Sequence, residues 1–142
     1  MTSPAPIYLD SCATTPPAPE VLAAMAAVHA EAWANPSSLH GFGLAAAEQL
    51  ERARQRLADL LGCGPQQVVF SSGGTESIHM ALIGATAEMS PGRLLISAVD
   101  AVQVVGHRPL DFNALPVDLL SCASHKLQGP RGVGALLVRP DL

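Results

Sequence analysis

QVVFSSGGTESIHMALIGATAEM, residues 67–89, decides how this chain folds. QVVF (67–70) is a short apolar run of the kind that forms a buried strand. It passes straight into SSGGTES (71–77), and IHMALIGATAEM (78–89) then carries a helical pattern. A strand that turns through two glycines into a helix is the repeating unit of an α/β fold with at least part of its sheet parallel. The turn also has chemical meaning. A helix N-terminus offers N–H groups and the positive end of a dipole, and glycines let an anion approach the backbone. Gly74 and Thr75 are therefore candidate phosphate contacts, with Thr75 either capping the helix or donating its hydroxyl to the anion. The stretch is neither a Walker sequence nor a G-x-G-x-x-G, so a plain tight turn stands as the alternative.

Upstream, IYLD (7–10) reads as a short extended run and SCATTPPAP (11–19) as a proline-rich loop. Pro19 suits the first turn of a helix, where its missing N–H does no harm, and EVLAAMAAVHAEAW (20–33) is Ala-rich and helix-favouring. NPSSLHGFG (35–43) reads as a loop. LAAAEQLERARQRLADLLG (44–62) resumes helix, with Leu50, Leu57, Leu60 and Leu61 as an apolar stripe opposed by Glu51, Arg52, Arg54, Gln55 and Arg56. Gly62 is the expected stop.

Downstream, RLLISAV (93–99) is a second strand ending at Asp100, and AVQVVG (101–106) is one or two turns of helix. HRPLDFNALP (107–116) is a loop, VDLLSCAS (117–124) a third strand and VGALLVR (133–139) a fourth.

With 142 residues the chain suffices for a single domain with one core. Hydrophobic residues make up 49% and charged residues 14%, so either most of the chain is buried in its own core or some surface is meant for a partner. A net charge of −4 without a basic block argues against nucleic acid. No apolar run reaches membrane length and the N-terminus lacks a signal pattern, so a cytoplasmic location is expected. Cys12, Cys63 and Cys122 are widely spaced, which speaks against a disulfide framework or a metal site. Cys63 and Cys122 read as small core or loop residues.

In α/β sheets ligands bind beyond the carboxyl ends of the strands. Three suggestive segments lie there: Gly73-Gly74-Thr75, Asp100 and His125-Lys126. Asp100 is either a helix cap or a carboxylate facing a protonated ring nitrogen, as pyridoxal 5′-phosphate (PLP) requires. Gln103 is then placed to hydrogen-bond the ring's phenolic oxygen. Lys126 is either a solvated lysine on a surface turn or an amine held in a pocket to form a Schiff base with an aldehyde. Ser124 and His125, beside it, are candidate donors to the cofactor phosphate.

Taken in order, IYLDSCATTPPAPEVLAAM, NPSSLHGFG, VVFSSGGTES, VDAVQVVGH and VDLLSCASHKLQGPRGVGALLV resemble the cysteine desulfurase family, fold-type I PLP enzymes grouped with class V aminotransferases. The resemblance implies a dimeric enzyme that takes sulfur from L-cysteine or a similar amino acid, leaving alanine and an enzyme persulfide. It makes Lys126 the Schiff-base lysine and Asp100 the partner of the pyridine nitrogen. Gln103 then contacts the phenolic oxygen, and Gly74, Thr75 and His125 contact the phosphate. The fold it implies is part of the large domain: a mostly parallel sheet with helices and one antiparallel strand. Its strands are expected in the order 93–99, 117–123, 133–138 and 67–71, with the 93–99 edge exposed.

The departures set further expectations. ISAV runs directly into DAVQ, as if one strand were fused from two at 99/100 and the family's middle portion, with its ring-stacking His and substrate-side Asn, were absent. The chain stops at LLVRPDL, before the family's small domain with its sulfur-accepting Cys and carboxylate-binding Arg. Ser11, Cys12, Gly74 and Ala123 replace residues usual in the family, and Ser124 is offered as a substitute for the phosphate-binding Ser at Ala123. Two readings follow: a PLP-binding cysteine desulfurase-like protein of reduced activity, or a non-catalytic remnant held by a partner. Another PLP-dependent lyase or aminotransferase is a third. The partner in each case is a second copy or a longer homologue.

Overall fold

A computed structural model describes residues 6–86, 98–101, 105 and 108–140. Helices α1 (Pro19–Glu31) and α2 (Gly41–Leu61) precede strand β1 (Val68–Ser71) and helix α3 (Gly74–Thr86). Strands β2 (Ala98–Asp100), β3 (Leu119–Ala123) and β4 (Gly134–Val138) follow, with single 3-10 turns at Pro65–Gln67, Phe112–Ala114 and Ser124–Lys126. The sheet order is β1-β4-β3-β2, as expected from the resemblance. β2 and β3 pair in parallel, and β4 is antiparallel to both β3 and β1. Three strands thus share one direction and one opposes them, so the carboxyl ends of β1, β2 and β3 lie along the same edge. Most of the second strand expected at 93–99 and of the helix at 101–106, with Gln103, lies outside the described residues.

Every residue of β3 is buried, because helices and turns cover both faces of the sheet. Alternation along the strands sorts the core into two layers. Leu120, Cys122, Ala135 and Leu137 pack with Val68, Ala58, Leu61 and Phe112 on the α2 side. Leu119 and Leu136 meet Ala81 of α3 on the other.

Helix α2 begins earlier than the expected loop allowed. The His40 ring accepts the Gly43 N–H at 3.2 Å and so caps the helix, while Gly43 lies so close to Ser38 that an added methyl would sit 2.2 Å from its carbonyl oxygen. The helix ends as expected, with Gly62 in the left-handed conformation at φ 65°. Its leucine stripe divides. Leu61 is buried and Leu57 half-buried, but Leu50 and Leu60 are exposed. A 21-residue helix is about 31 Å long, whereas a five-residue strand spans about 17 Å, so only the C-terminal part of α2 reaches the sheet. Arg54 departs from its expected place on the solvent face. Its guanidinium donates to the Val68 carbonyl of β1 and lies 5.0 Å from the centre of the Phe70 ring.

Helix α1 has no buried residue. Leu39, Trp33 and Phe42 are 93%, 68% and 63% exposed, so the high apolar fraction is not absorbed by the chain's own core.

Candidate active site

The glycine turn after β1 and the His-Lys turn after β3 are brought together by β4, which lies between them. β4 starts at Gly134, whose missing side chain lets the backbone of Gly73 approach: a carbon added at Gly134 would lie 2.7 Å from Gly73 Cα. The 11–18 loop closes the third side. The carbonyl of His125 accepts from Thr15 N–H at 2.8 Å, Thr15 Oγ1 at 2.9 Å and Thr14 Oγ1 at 3.4 Å. The Gln128 N–H donates to Thr15 Oγ1 at 2.8 Å and its carbonyl accepts the Ala18 N–H at 2.8 Å. These bonds span more than one hundred residues of sequence and hold the His125 backbone in place.

The result is a cleft of about 490 Å³, within the range of small-molecule sites. Ala13 and Thr14 line it from the N-terminal loop, Ser72 to Glu76 from the glycine turn, and His125, Arg131 and Gly132 from the β3–β4 connection. Gly74, Thr75 and His125 therefore line one cleft. Lys126 is half-buried beside His125 but does not line it, because successive side chains of a 3-10 turn diverge by about 120°. Asp100 ends β2 at the same carboxyl edge, paired in register with Ser121.

Ser124 is engaged within its own loop. Its hydroxyl donates to the Pro130 and Val133 carbonyls, the latter at 2.9 Å, so its proton closes its own loop and is not offered to a phosphate. Thr14 and Arg131 were not singled out from the sequence. Thr14 reaches the site through the long-range bonds that it and Thr15 make to the His125 carbonyl, and Arg131 stood only as part of a Gly-Pro-Arg-Gly turn.

Glu76, in the first turn of α3, accepts the Ser72 N–H at 2.5 Å. That backbone bond, with the Ser72 side chain adding to it, holds the Glu76 carboxyl below the usual glutamate range. A carboxyl lowered by folding contributes stability above its unfolded range and loses it as pH falls through the folded value. Glu76→Gln is therefore expected to lower the urea midpoint at neutral pH, with the two proteins converging in acid. A difference that persists unchanged in acid counts against the charge as its cause.

Burial raises the Cys63 thiol, with the Asp111 charge adding to the effect. Burial also raises Cys122, partly offset by its contact with the Ala135 carbonyl. Both resist forming the thiolate on which sulfur chemistry depends. No helix among the described residues is long and apolar enough to cross a membrane.

The aminotransferase class-V family profile matches residues 7–98 and again 94–142. The chain belongs to the class V aminotransferase family. Both matched segments cover 94–98, so one stretch of chain corresponds to two places in the family pattern. A cysteine desulfurase IscS of Dictyoglomus turgidum is 29% identical over 212 residues, covering 94% of this chain and 54% of the relative. The aligned length exceeds the chain's 142 residues, so the relative has a long internal stretch without a counterpart here. Among solved structures, a NifS-like protein superposes with a TM-score of 0.85 at 22% identity, covering 93% of this chain and 58% of that one. SspA in complex with cysteine gives 0.82 at 23% identity, covering 94% and 61%. These two likenesses show that the chain shares the fold of those proteins. The chain spans about half the length of the curated relatives it matches.

Proposed function

We propose that this chain binds PLP and an amino acid of the L-cysteine type, as a cysteine desulfurase-like protein with reduced activity. The observation that carries the reading is the cleft in which the glycine turn, Thr14 and His125 meet at the carboxyl edge of the sheet. The residues present suit a phosphate. The first-turn N–H groups of α3 have no intrahelical acceptors, and Thr75 and His125 add polar side chains from two sides. PLP supplies, when bound, an electron sink for the bonds around the amino acid's α-carbon.

In this reading Gly74, Thr75 and His125 hold the phosphate, Asp100 keeps the ring nitrogen protonated, and Gln103 binds the phenolic oxygen. Lys126 presents the amine that takes the cofactor aldehyde. Sulfur transfer needs a reactive thiolate, and burial raises the thiols of Cys63 and Cys122, which disfavours those two as sulfur acceptors. The structural neighbour solved with cysteine supports an amino-acid ligand of that class. The test is PLP addition followed by absorbance. Wild type is expected to develop a band at the edge of the visible region that Lys126→Ala abolishes, and identical spectra for the two would overturn the reading.

A second reading rests on a different observation. The exposed Trp33, Leu39 and Phe42, and an α1 without a buried residue, suit a non-catalytic chain covered by a partner. A second copy or a longer homologue fits that surface. Sedimentation read together with absorbance separates the two: a PLP band that Lys126→Ala abolishes supports the first, and self-association with no PLP band supports the second.

A further inference from the structure

Arg131 is the one permanent cation among the residues lining the cleft, and it has no assigned role. A guanidinium is positive throughout the physiological range, whereas the cleft also contains the carboxylate of Glu76. A phosphate bound there would bring up to two further negative charges into a wall that already carries one. Backbone donors alone do not neutralise that charge. Arg131 makes no ion pair among the described residues, so its guanidinium is available to a ligand.

The backbone that carries it is held in place. The loop that carries Arg131 is closed by Ser124 N–H to the Val133 carbonyl at 3.1 Å and by Gly129 N–H to the Ser124 carbonyl at 2.9 Å. The Ser124 hydroxyl adds its bonds to Pro130 and Val133. Gly132, at φ 77°, makes the turn that follows. Next along the chain, the contact of Gly134 with Gly73 sets this loop against the glycine turn. The role that Ser124 lacks toward the phosphate is thus an indirect one: it shapes the loop that presents the arginine.

We propose that Arg131 is a cofactor-binding residue that pairs with the phosphate of PLP, an inference that rests on the PLP reading above. Arginine suits a phosphate because its planar fork gives two parallel charge-assisted bonds. The affinity of Arg131→Gln and Arg131→Lys for PLP is compared with their affinity for pyridoxal, which lacks the phosphate. A parallel experiment follows the thermal midpoint of the cofactor-free protein in inorganic phosphate.

Arg131→Gln is expected to bind PLP about 10- to 100-fold more weakly, the loss typical of a hydrogen-bonded charge pair, with pyridoxal affinity unchanged. Arg131→Lys keeps part of the preference, and the phosphate-induced rise in thermal midpoint shrinks in Arg131→Gln. Unchanged PLP affinity overturns the inference, as does an equal loss for PLP and pyridoxal. So does a variant that keeps its PLP affinity but stops distinguishing L-cysteine from cysteamine, since Arg131 would then hold the amino-acid carboxylate. If wild type shows no PLP band yet responds to phosphate through Arg131, the PLP reading fails while the phosphate site stands.

Discussion

Phe112→Ala is expected to lower the stability of this chain by about 3–5 kcal/mol, the range for emptying a large aromatic site in a core. The ring is fully buried and is the largest side chain so enclosed among the described residues. It lies in the layer that joins Ala58 and Leu61 of α2 to Leu120 and Leu137 of the sheet. Arg139 covers it, 5.6 Å from the ring centre, and holds the loop by donating to the carbonyls of Val117 at 2.8 Å and of Leu115. Removing the ring leaves a void that this pinned loop cannot close. Since small domains have about 5–15 kcal/mol in all, the loss is a large share of the total. Urea unfolding followed by circular dichroism measures it. Phe42→Ala is the control: that ring is 63% exposed, and its removal is expected to change stability by less than about 0.5 kcal/mol. Equal effects at the two positions would show that Phe112 does not anchor the core.

Gly134→Ala is expected to damage both the sheet and the cleft. The added carbon would lie 2.7 Å from Gly73 Cα, 2.8 Å from Gly73 C and 2.9 Å from the Cys122 carbonyl oxygen. All three are backbone atoms, so no side-chain rotation relieves the contact. β4 is hydrogen-bonded on both edges, and the glycine turn is the part able to retreat. We expect a stability loss of about 1–3 kcal/mol, the usual cost of overpacking. A weakened response to inorganic phosphate accompanies it, because the turn forms one wall of the cleft. Gly41→Ala is the comparison, since nothing lies within 4 Å of the carbon it adds. A Gly134→Ala protein as stable and as phosphate-responsive as that control would mean the close approach is dispensable.

Much of the candidate site was legible because its elements announce themselves locally. The Gly-Gly turn after an apolar run marks a strand-to-helix junction whatever surrounds it, and Gly74 and Thr75 stand where that junction puts them. His125 follows a strand in the same way. Thr14 was not legible, because its contribution depends on a bond to a residue 111 positions away. The partners of Ser124, the Pro130 and Val133 carbonyls, were not legible either, because they are chosen by the fold of a loop and not by a repeating pattern.

The same division runs through the fold. Among the described residues, the sequence by itself determined the helices and strands, their order, and where α2 stops, since apolar runs, helical patterns and a left-handed glycine at 62 act over a few neighbouring residues. Its likeness to a family supplied the strand order. Only the tertiary structure decided that Phe112, in a stretch read as a loop, fills the core, and that Leu50 and Leu60 stay outside it. It likewise placed Arg131 in one cleft with the glycine turn while leaving Lys126 off the cleft wall. These outcomes depend on how long a helix is relative to the sheet it crosses and on which backbones can touch. Both are set by contacts between segments far apart in the chain.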